Sequence, residues 1–327
     1  MLSKLARFAP ALNTVLALAV LLVAAAALSW RADQGNAASE KLVGSMSWLL
    51  WRGTASASVL LFLVALVRGI TELRHKWARA DAVRPLQMAG YVLLSVLFVA
   101  VGIGAVSRAS GTFFRLLPNL PLANLRVRTG AVLFIGALAV VPWLATVWLV
   151  HAASRDVRLQ IAATASTAQA DPDGESPFLP ALRRLLDLWD AIVRSVLAFM
   201  VIIVATIVTT GALRGVFVEA FPTPPGQTDR FASVYVLLYG ATFAFLLLVV
   251  TVPMVASWRA IAAQLIEATM PVPPELRFPE GWSDQRAILE RMLHLDTPLM
   301  RSPLTALSAL VPLATGALAA FVPELAA

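Results

Sequence analysis

The sequence contains no cysteine, only three histidines and few charged residues. Without cysteine, disulfide bonds, thiolate nucleophiles and cysteine-ligated metals are all excluded. Charged residues make up 14% of the chain and hydrophobic residues 59%, whereas about a quarter of an average soluble domain is charged. The chain is therefore predicted to be an integral membrane protein.

Recognisable catalytic motifs are missing as well. The sequence has no His-Glu-x-x-His pair, no Gly-x-Ser-x-Gly elbow, no glycine-rich phosphate loop and no Walker lysine. An intramembrane hydrolase and a nucleotide-driven pump are therefore disfavoured. The sequence leaves an enzymatic role open, but it favours a protein without its own catalysis and without a cofactor.

The charge that is present is mostly positive, with a net value of +7. The basic residues are spread over short segments between apolar runs, which disfavours nucleic-acid binding and favours orientation in an anionic lipid bilayer. Arginine outnumbers lysine 23 to 3 and alanine is abundant, a composition typical of a bacterial protein from a GC-rich genome. The predicted location is the bacterial inner (plasma) membrane.

Apolar runs long enough to cross a bilayer occur seven times. A spanning helix needs about 20 mostly apolar residues, because every backbone amide in the hydrocarbon must bond within its own segment. The first run is either an uncleaved signal anchor or a cleavable signal peptide. The last is interrupted by Pro312, so a bent or re-entrant segment is the alternative to a span. The runs cover residues 11–28, 46–67, 88–106, 131–150, 196–213, 234–255 and 304–322.

The distribution of lysine and arginine predicts the orientation. Basic residues in short loops are retained on the cytoplasmic side of the membrane. If the N-terminus is cytoplasmic, 17 basic residues lie in inner segments and 8 in outer segments. The N-terminus is therefore predicted to be cytoplasmic.

Arg52 is the one charged residue well inside an apolar run. It lies six residues after Met46, about 9 Å along a helix, so its side chain can reach the outer headgroups. Flanking indoles at Trp48 and Trp51 favour an interfacial anchor. The alternative is the mouth of an anion path that small and hydroxyl residues line. The candidate pore or anion-contact residues are Arg52, Ser56 and Thr206.

Two segments, 151–195 and 256–303, are predicted to form cytoplasmic helical loops. In each, a span continues as a helical arm, and a proline-containing linker leads into an amphipathic helix and another span. The first amphipathic helix is suited to the inner membrane surface, to the second arm or to a protein partner. The recurrence after roughly 105 residues leaves an internal repeat open. The candidate partner-docking residues are Phe178, Leu182, Leu185 and Trp189.

Histidine and glutamate occur at helical spacing in two places. Glu72 precedes His75 by three residues, and Glu290 precedes His294 by four, so each pair shares one helix face and forms a weak metal-site candidate. His151 is also predicted near the cytoplasmic face. Solvated or interfacial side chains are the simpler interpretation.

These patterns together predict an all-α, polytopic membrane helix bundle. It has six or seven transmembrane helices in a single domain over residues 1–327, with cytoplasmic helical extensions. The leading functional hypothesis is a channel-like or permease-like component with regulatory arms. The alternatives are an anchor or signalling scaffold that docks a cytoplasmic protein, and a membrane enzyme that uses the three histidines with nearby carboxylates.

Overall fold

The computed structural model describes residues 2–30, 32, 37–74, 85–109, 122, 124–167, 176–222, 232–272, 280–296 and 303–321. Within these ranges the chain forms nine α-helices and no β-strand. The helices are α1 (Leu2–Ser29), α2 (Ala37–Val43), α3 (Met46–Glu72), α4 (Pro85–Ala109), α5 (Leu125–Thr167), α6 (Leu179–Ala220), α7 (Val234–Thr269), α8 (Trp282–Met292) and α9 (Pro303–Ala320).

Five of these helices, α3, α5, α6, α7 and α9, are long and apolar enough to cross a membrane. Shorter apolar stretches lie in α1 and α4, at Val15–Ser29 and Met88–Val101. The predictions of an all-α fold and of a multi-pass membrane protein are confirmed at this level. The last apolar run is one continuous helix, α9, with Pro312 inside it.

Helices α3, α5 and α6 pack against one another and form the centre of the bundle. Helix α9 packs against α7 and α6, while α1 packs on α3 and α4 on α5. Residue contacts show that α3, α5 and α7 run in one direction and α6 and α9 in the opposite one. The hydrogen bond between the beginning of α3 and the end of α1 marks one end of the bundle. The opposite end carries the helical extensions described below.

The contact between α3 and α5 depends on a glycine. Pro142 removes a backbone donor within α5, and its ring packs against Gly69 of α3, where an added Cβ would lie 2.6 Å from Pro142 Cγ. Next to this contact, Trp143 Nε1 donates a hydrogen bond to the carbonyl of Ala65 at 2.9 Å. The glycine and the indole together bring the two helices into close contact.

Helices α5, α6 and α7 are far longer than a bilayer requires. They contain 43, 42 and 36 residues, or about 65, 63 and 54 Å at the helical rise, against a hydrocarbon core of about 30 Å. Their excess lengths lie at the same end of the molecule. We call this region the projecting bundle: residues 151–167 of α5, 179–195 of α6, 256–269 of α7, and α8.

The projecting bundle has an apolar core of its own. Helix α5 contributes buried residues at four-residue spacing, and α6 and α7 present matching apolar faces. Charged residues of these segments lie on the outside, so the pattern is that of a water-exposed helical bundle. The buried side chains include Ala153, Val157, Ile161, Ala181, Leu185, Leu188, Ile192, Trp258, Ile261, Leu265 and Ile266.

The two amphipathic segments differ from each other. The first is not a separate helix, because no breaker lies between it and the following span, and both form the single helix α6. The second, α8, ends at Met292, and His294 has a positive φ of 47° that turns the chain before α9. The two parts that suggested a repeat are therefore built differently, although both follow a long helix. Residues 168–175, 273–279 and 297–302 of these loops lie outside the described ranges.

Candidate functional site

Arg52 lies near the beginning of α3, at the end of the bundle where α1 finishes. Its Nη1 donates a hydrogen bond to Ser29 Oγ at 3.1 Å, and the side chain is partly exposed. Ser29 is the last residue of α1, and its hydroxyl also donates to the carbonyl of Ala25 at 2.6 Å. The guanidinium therefore ties α3 to the C-terminal end of α1.

The other two predicted anion-contact residues bond within their own helices. Ser56 Oγ donates to the carbonyl of Arg52 at 2.7 Å, and Thr206 Oγ1 donates to the carbonyl of Ile202 at 2.7 Å. The structure joins other hydroxyls across α3 and α6. Ser58 Oγ and Thr209 Oγ1 lie 2.7 Å apart, both buried.

Large side chains fill the space between α3 and its neighbours near this end. Trp48 and Trp51 are completely buried and pack as a tilted ring pair with centroids 5.0 Å apart. Ala55 and Phe62 continue the same buried face of α3. This part of the bundle is packed with apolar side chains.

Buried arginines cap the C-terminal ends of other helices. Arg128, on α5, donates from Nη1 to the carbonyl of Leu28 and from Nη2 to the carbonyl of Trp30, at the end of α1 and just after it. Arg214, on α6, donates to the carbonyl of Ala320, the last residue of α9, at 3.0 Å. Neither α1 nor α9 has a basic residue in its last turn. The arginines therefore supply the positive charge and the donors that these helix ends lack.

The apolar face that the sequence suggested for partner docking is used by the chain itself. Phe178 and Leu185 are buried, and Leu182 and Trp189 pack against the same core. Trp258 of α7 donates from Nε1 to the carbonyl of Leu185 at 2.9 Å. This face holds α6 against α7.

Helix α8 lies antiparallel to the C-terminal part of α7 and is held to it by two arginines. Arg259 of α7 donates from Nη1 to the carbonyl of His294 at 3.0 Å and from Nη2 to the carbonyl of Leu295 at 3.1 Å. Arg286 of α8 donates from Nη1 to the carbonyl of Met270, just after α7, at 3.1 Å. Each helix thus supplies an arginine that binds the chain at the C-terminal end of the other.

Two carboxylates complete the surroundings of Arg286. Its guanidinium is paired with Glu267 of α7, and its Nε donates to Glu290 Oε1 at 3.1 Å. The guanidinium also lies over the ring of Trp282, 5.2 Å from the centroid. The hydrogen bond to Glu267, more than that to Glu290, raises the pKa of Arg286 above its ordinary value. The side chain is therefore charged at every physiological pH.

An aromatic stack lies beside these contacts. Trp189 of α6 has its ring centroid 4.6 Å from that of Trp258 and 5.1 Å from that of His294. The stack joins α6, α7 and the chain that follows α8. Between α7 and α8 is a groove of about 440 Å³, whose floor includes Ala260 and Ala263.

The four metal-site candidates do not form a cluster in the described residues. Glu72 is 3.4 Å from Arg194, Glu290 is bound by Arg286, and His294 stacks on Trp189. His75 lies outside the described residues. Over the part of the chain that the structure describes, no three His, Asp or Glu side chains could hold a metal ion together.

The outer surface of the projecting bundle carries exposed apolar side chains among mixed charges. Leu159 of α5 is 61% exposed, and Ile288 and Met292 of α8 are 57% and 47% exposed. Ile288 and Met292 are four residues apart and share one face of α8. Adjacent exposed apolar side chains are candidate contact points, because contiguous apolar patches mark interaction sites, whereas single exposed apolar residues are common on protein surfaces.

No protein-family model, curated protein or solved structure matches this chain. Its function is therefore argued from the arrangement of its own residues. Reasoning from sequence missed the arginine caps and the Ser58–Thr209 pair, since both join helices that are far apart along the chain. The last turns of α1, α7 and α9 lack basic residues, but those of α3, α5 and α6 lack them too, so local sequence did not single out the capped helix ends.

Proposed function

We propose that the protein is a membrane anchor and scaffold subunit whose projecting bundle docks a protein partner on the cytoplasmic side. The observation that carries the proposal is that α5, α6 and α7 run unbroken from the spanning bundle into the projecting bundle and pack there around an apolar core. A structure of this kind holds a protein surface at a fixed height above the membrane. The exposed side chains of Leu159, Ile288 and Met292 are the proposed contact points.

Photo-crosslinking in membranes of the source cell tests this proposal. A photoreactive amino acid at Leu159 or Ile288 is expected to give a discrete protein adduct, and Met292→Glu is expected to abolish the adduct at Ile288. Tyr235, 63% exposed at the other end of α7, is the matched control and is expected to react with lipid only. Lipid adducts alone at all three positions would contradict the docking proposal.

A channel-like or permease-like component is the second candidate. The partly exposed guanidinium of Arg52 and the interhelical hydroxyl pair of Ser58 and Thr209 favour it. The buried indoles of Trp48 and Trp51 count against it, because they occupy the space beside α3. Planar-bilayer conductance separates the two candidates. An anchor is silent, whereas reproducible anion current that falls in Arg52→Ala would establish a pore.

A further inference from the structure

Helix α8 is the least buried helix of the projecting bundle. None of its 11 residues is buried. A helix of this length is only marginally stable on its own in water. Its position and its helical state therefore depend on what binds it to α7.

The attachment of α8 combines polar contacts with a short apolar anchor, since Leu293, directly after the helix, is fully buried and Leu289 and Leu295 pack against the same core. Arg259 holds the carbonyls of His294 and Leu295, and Arg286 holds the carbonyl of Met270 and the carboxylate of Glu267. These contacts lie at the two ends of the helix pair. Between them, the small side chains of α7 leave the groove of about 440 Å³ in place of tight apolar packing.

This division of contacts makes the polar part of the attachment sensitive to salt. Apolar packing resists salt, whereas partly exposed charge-assisted hydrogen bonds weaken as ions screen them, with a Debye length of about 3 Å at 1 M salt. Breaking the two arginine contacts leaves α8 held only by Leu289, Leu293 and Leu295, while the part of the apolar core that α5, α6 and α7 form stays closed.

We propose that α8 is a releasable strap on the projecting bundle. In the closed state seen here, α8 lies along the part of α7 where Ile266 is buried, while Ala260 and Ala263 of the same groove stay exposed, and His294 packs against the ring of Trp189. In the released state, Ile266 and the ring of Trp189 become more accessible. The existence of the strap does not depend on the proposed function. Its use does, because the strap would regulate the access of the docked partner.

Distance measurements between two spin labels test the strap without any partner. The chain has no native cysteine, so labels at Gln264→Cys on α7 and Ile288→Cys on α8 report on this pair of helices alone, and both positions are exposed. The full chain in lipid nanodiscs is expected to show one short distance. Arg259→Gln or Arg286→Gln is expected to add a longer distance, with an increase of about tenfold or more in the released fraction relative to the closed one. High salt is expected to act in the same direction.

Two controls make the result decisive. Arg291→Gln removes the same charge from an exposed position of α8 and is expected to leave the distance unchanged. Labels at Gln264→Cys and Leu159→Cys, on α7 and α5, are expected to keep their distance in every variant. An unchanged α7–α8 distance in both Arg259→Gln and Arg286→Gln overturns the strap. A change of the α7–α5 distance overturns it as well, because the arginines would then hold the whole bundle. Photo-crosslinking tests partner docking separately, so the two proposals can fail independently.

Discussion

Single side chains show why lysine could not take the place of some of the arginines. A guanidinium has donors in a fixed fork, and Arg128 and Arg259 each use two nitrogens to bind two backbone carbonyls. A lysine ammonium, a single point charge on a flexible stem, cannot present that planar fork. Each arginine thereby satisfies carbonyls that a helix end leaves without an intrahelical partner.

Replacing Arg128 with glutamine is expected to destabilise the protein by about 2–4 kcal/mol, because the buried carbonyl of Leu28 and the partly buried carbonyl of Trp30 lose charged donors. Arg126→Gln removes the same charge two residues away, at an exposed position, and is expected to change stability by less than about 0.5 kcal/mol. Thermal unfolding in detergent, followed by tryptophan fluorescence, measures both. Equal melting temperatures for the two variants would show that the cap at α1 contributes nothing.

The contact of Gly69 with Pro142 gives a second test at a single residue. Gly69→Ala places a methyl group 2.6 Å from Pro142 Cγ, so α3 and α5 have to separate, at a cost of about 1–3 kcal/mol. Gly53→Ala on the same helix meets nothing within 4 Å and is expected to be neutral or slightly stabilising. The same thermal assay compares the two variants. A tolerated Gly69→Ala would mean that the close approach is not required.

At the scale of elements, helix periodicity predicted where helices form better than it predicted where they begin and end. The apolar runs and the amphipathic pattern at 178–194 identified where helices form, since both depend on local spacing. The sequence did not show that this amphipathic segment and the next span are one helix. The segment's apolar residues fit either a membrane surface or a neighbouring helix, and only the position of Trp258 on α7 decides between them.

The candidate site was less predictable than the helices. Ser56 and Thr206 looked suitable because hydroxyls between apolar residues often line polar paths, yet each bonds to its own helix. A hydroxyl can bond to a carbonyl of its own helix or to a group on a neighbouring helix. Which of the two it does depends on how both helices are rotated about their axes. Ser58 and Thr209 meet for that reason, and no local pattern distinguishes them from the other hydroxyl residues.

The unbroken course of α6 can be tested with proline. Leu197→Pro, at an exposed position where the extension meets the span, is expected to cost about 3 kcal/mol and to increase hydrogen exchange over residues 179–195. Leu197→Ala is the matched control and is expected to keep exchange slow. If the amphipathic segment were an independent surface helix, proline at this junction would leave its exchange unchanged.

For the whole molecule, the alternation of helix directions predicts which surfaces share a side of the membrane. Single cysteines at Ser176 and Asp284 are expected to be labelled by an impermeant maleimide from the cytoplasmic side, and a cysteine at Glu40 from the opposite side. All three positions are exposed. The absence of native cysteine removes background labelling. Labelling of Ser176→Cys and Asp284→Cys from opposite sides would contradict the arrangement, and labelling of all three from the reverse sides would invert the orientation.

The continuity of α6 couples the two halves of the protein mechanically. A helix of 42 residues behaves as a lever about 63 Å long. A tilt of about 5° around its middle displaces Leu179 by about 3 Å relative to the membrane. Spanning helices tilt to match the thickness of the surrounding bilayer. A thinner or stretched membrane would therefore move the end of the projecting bundle that lies farthest from the membrane.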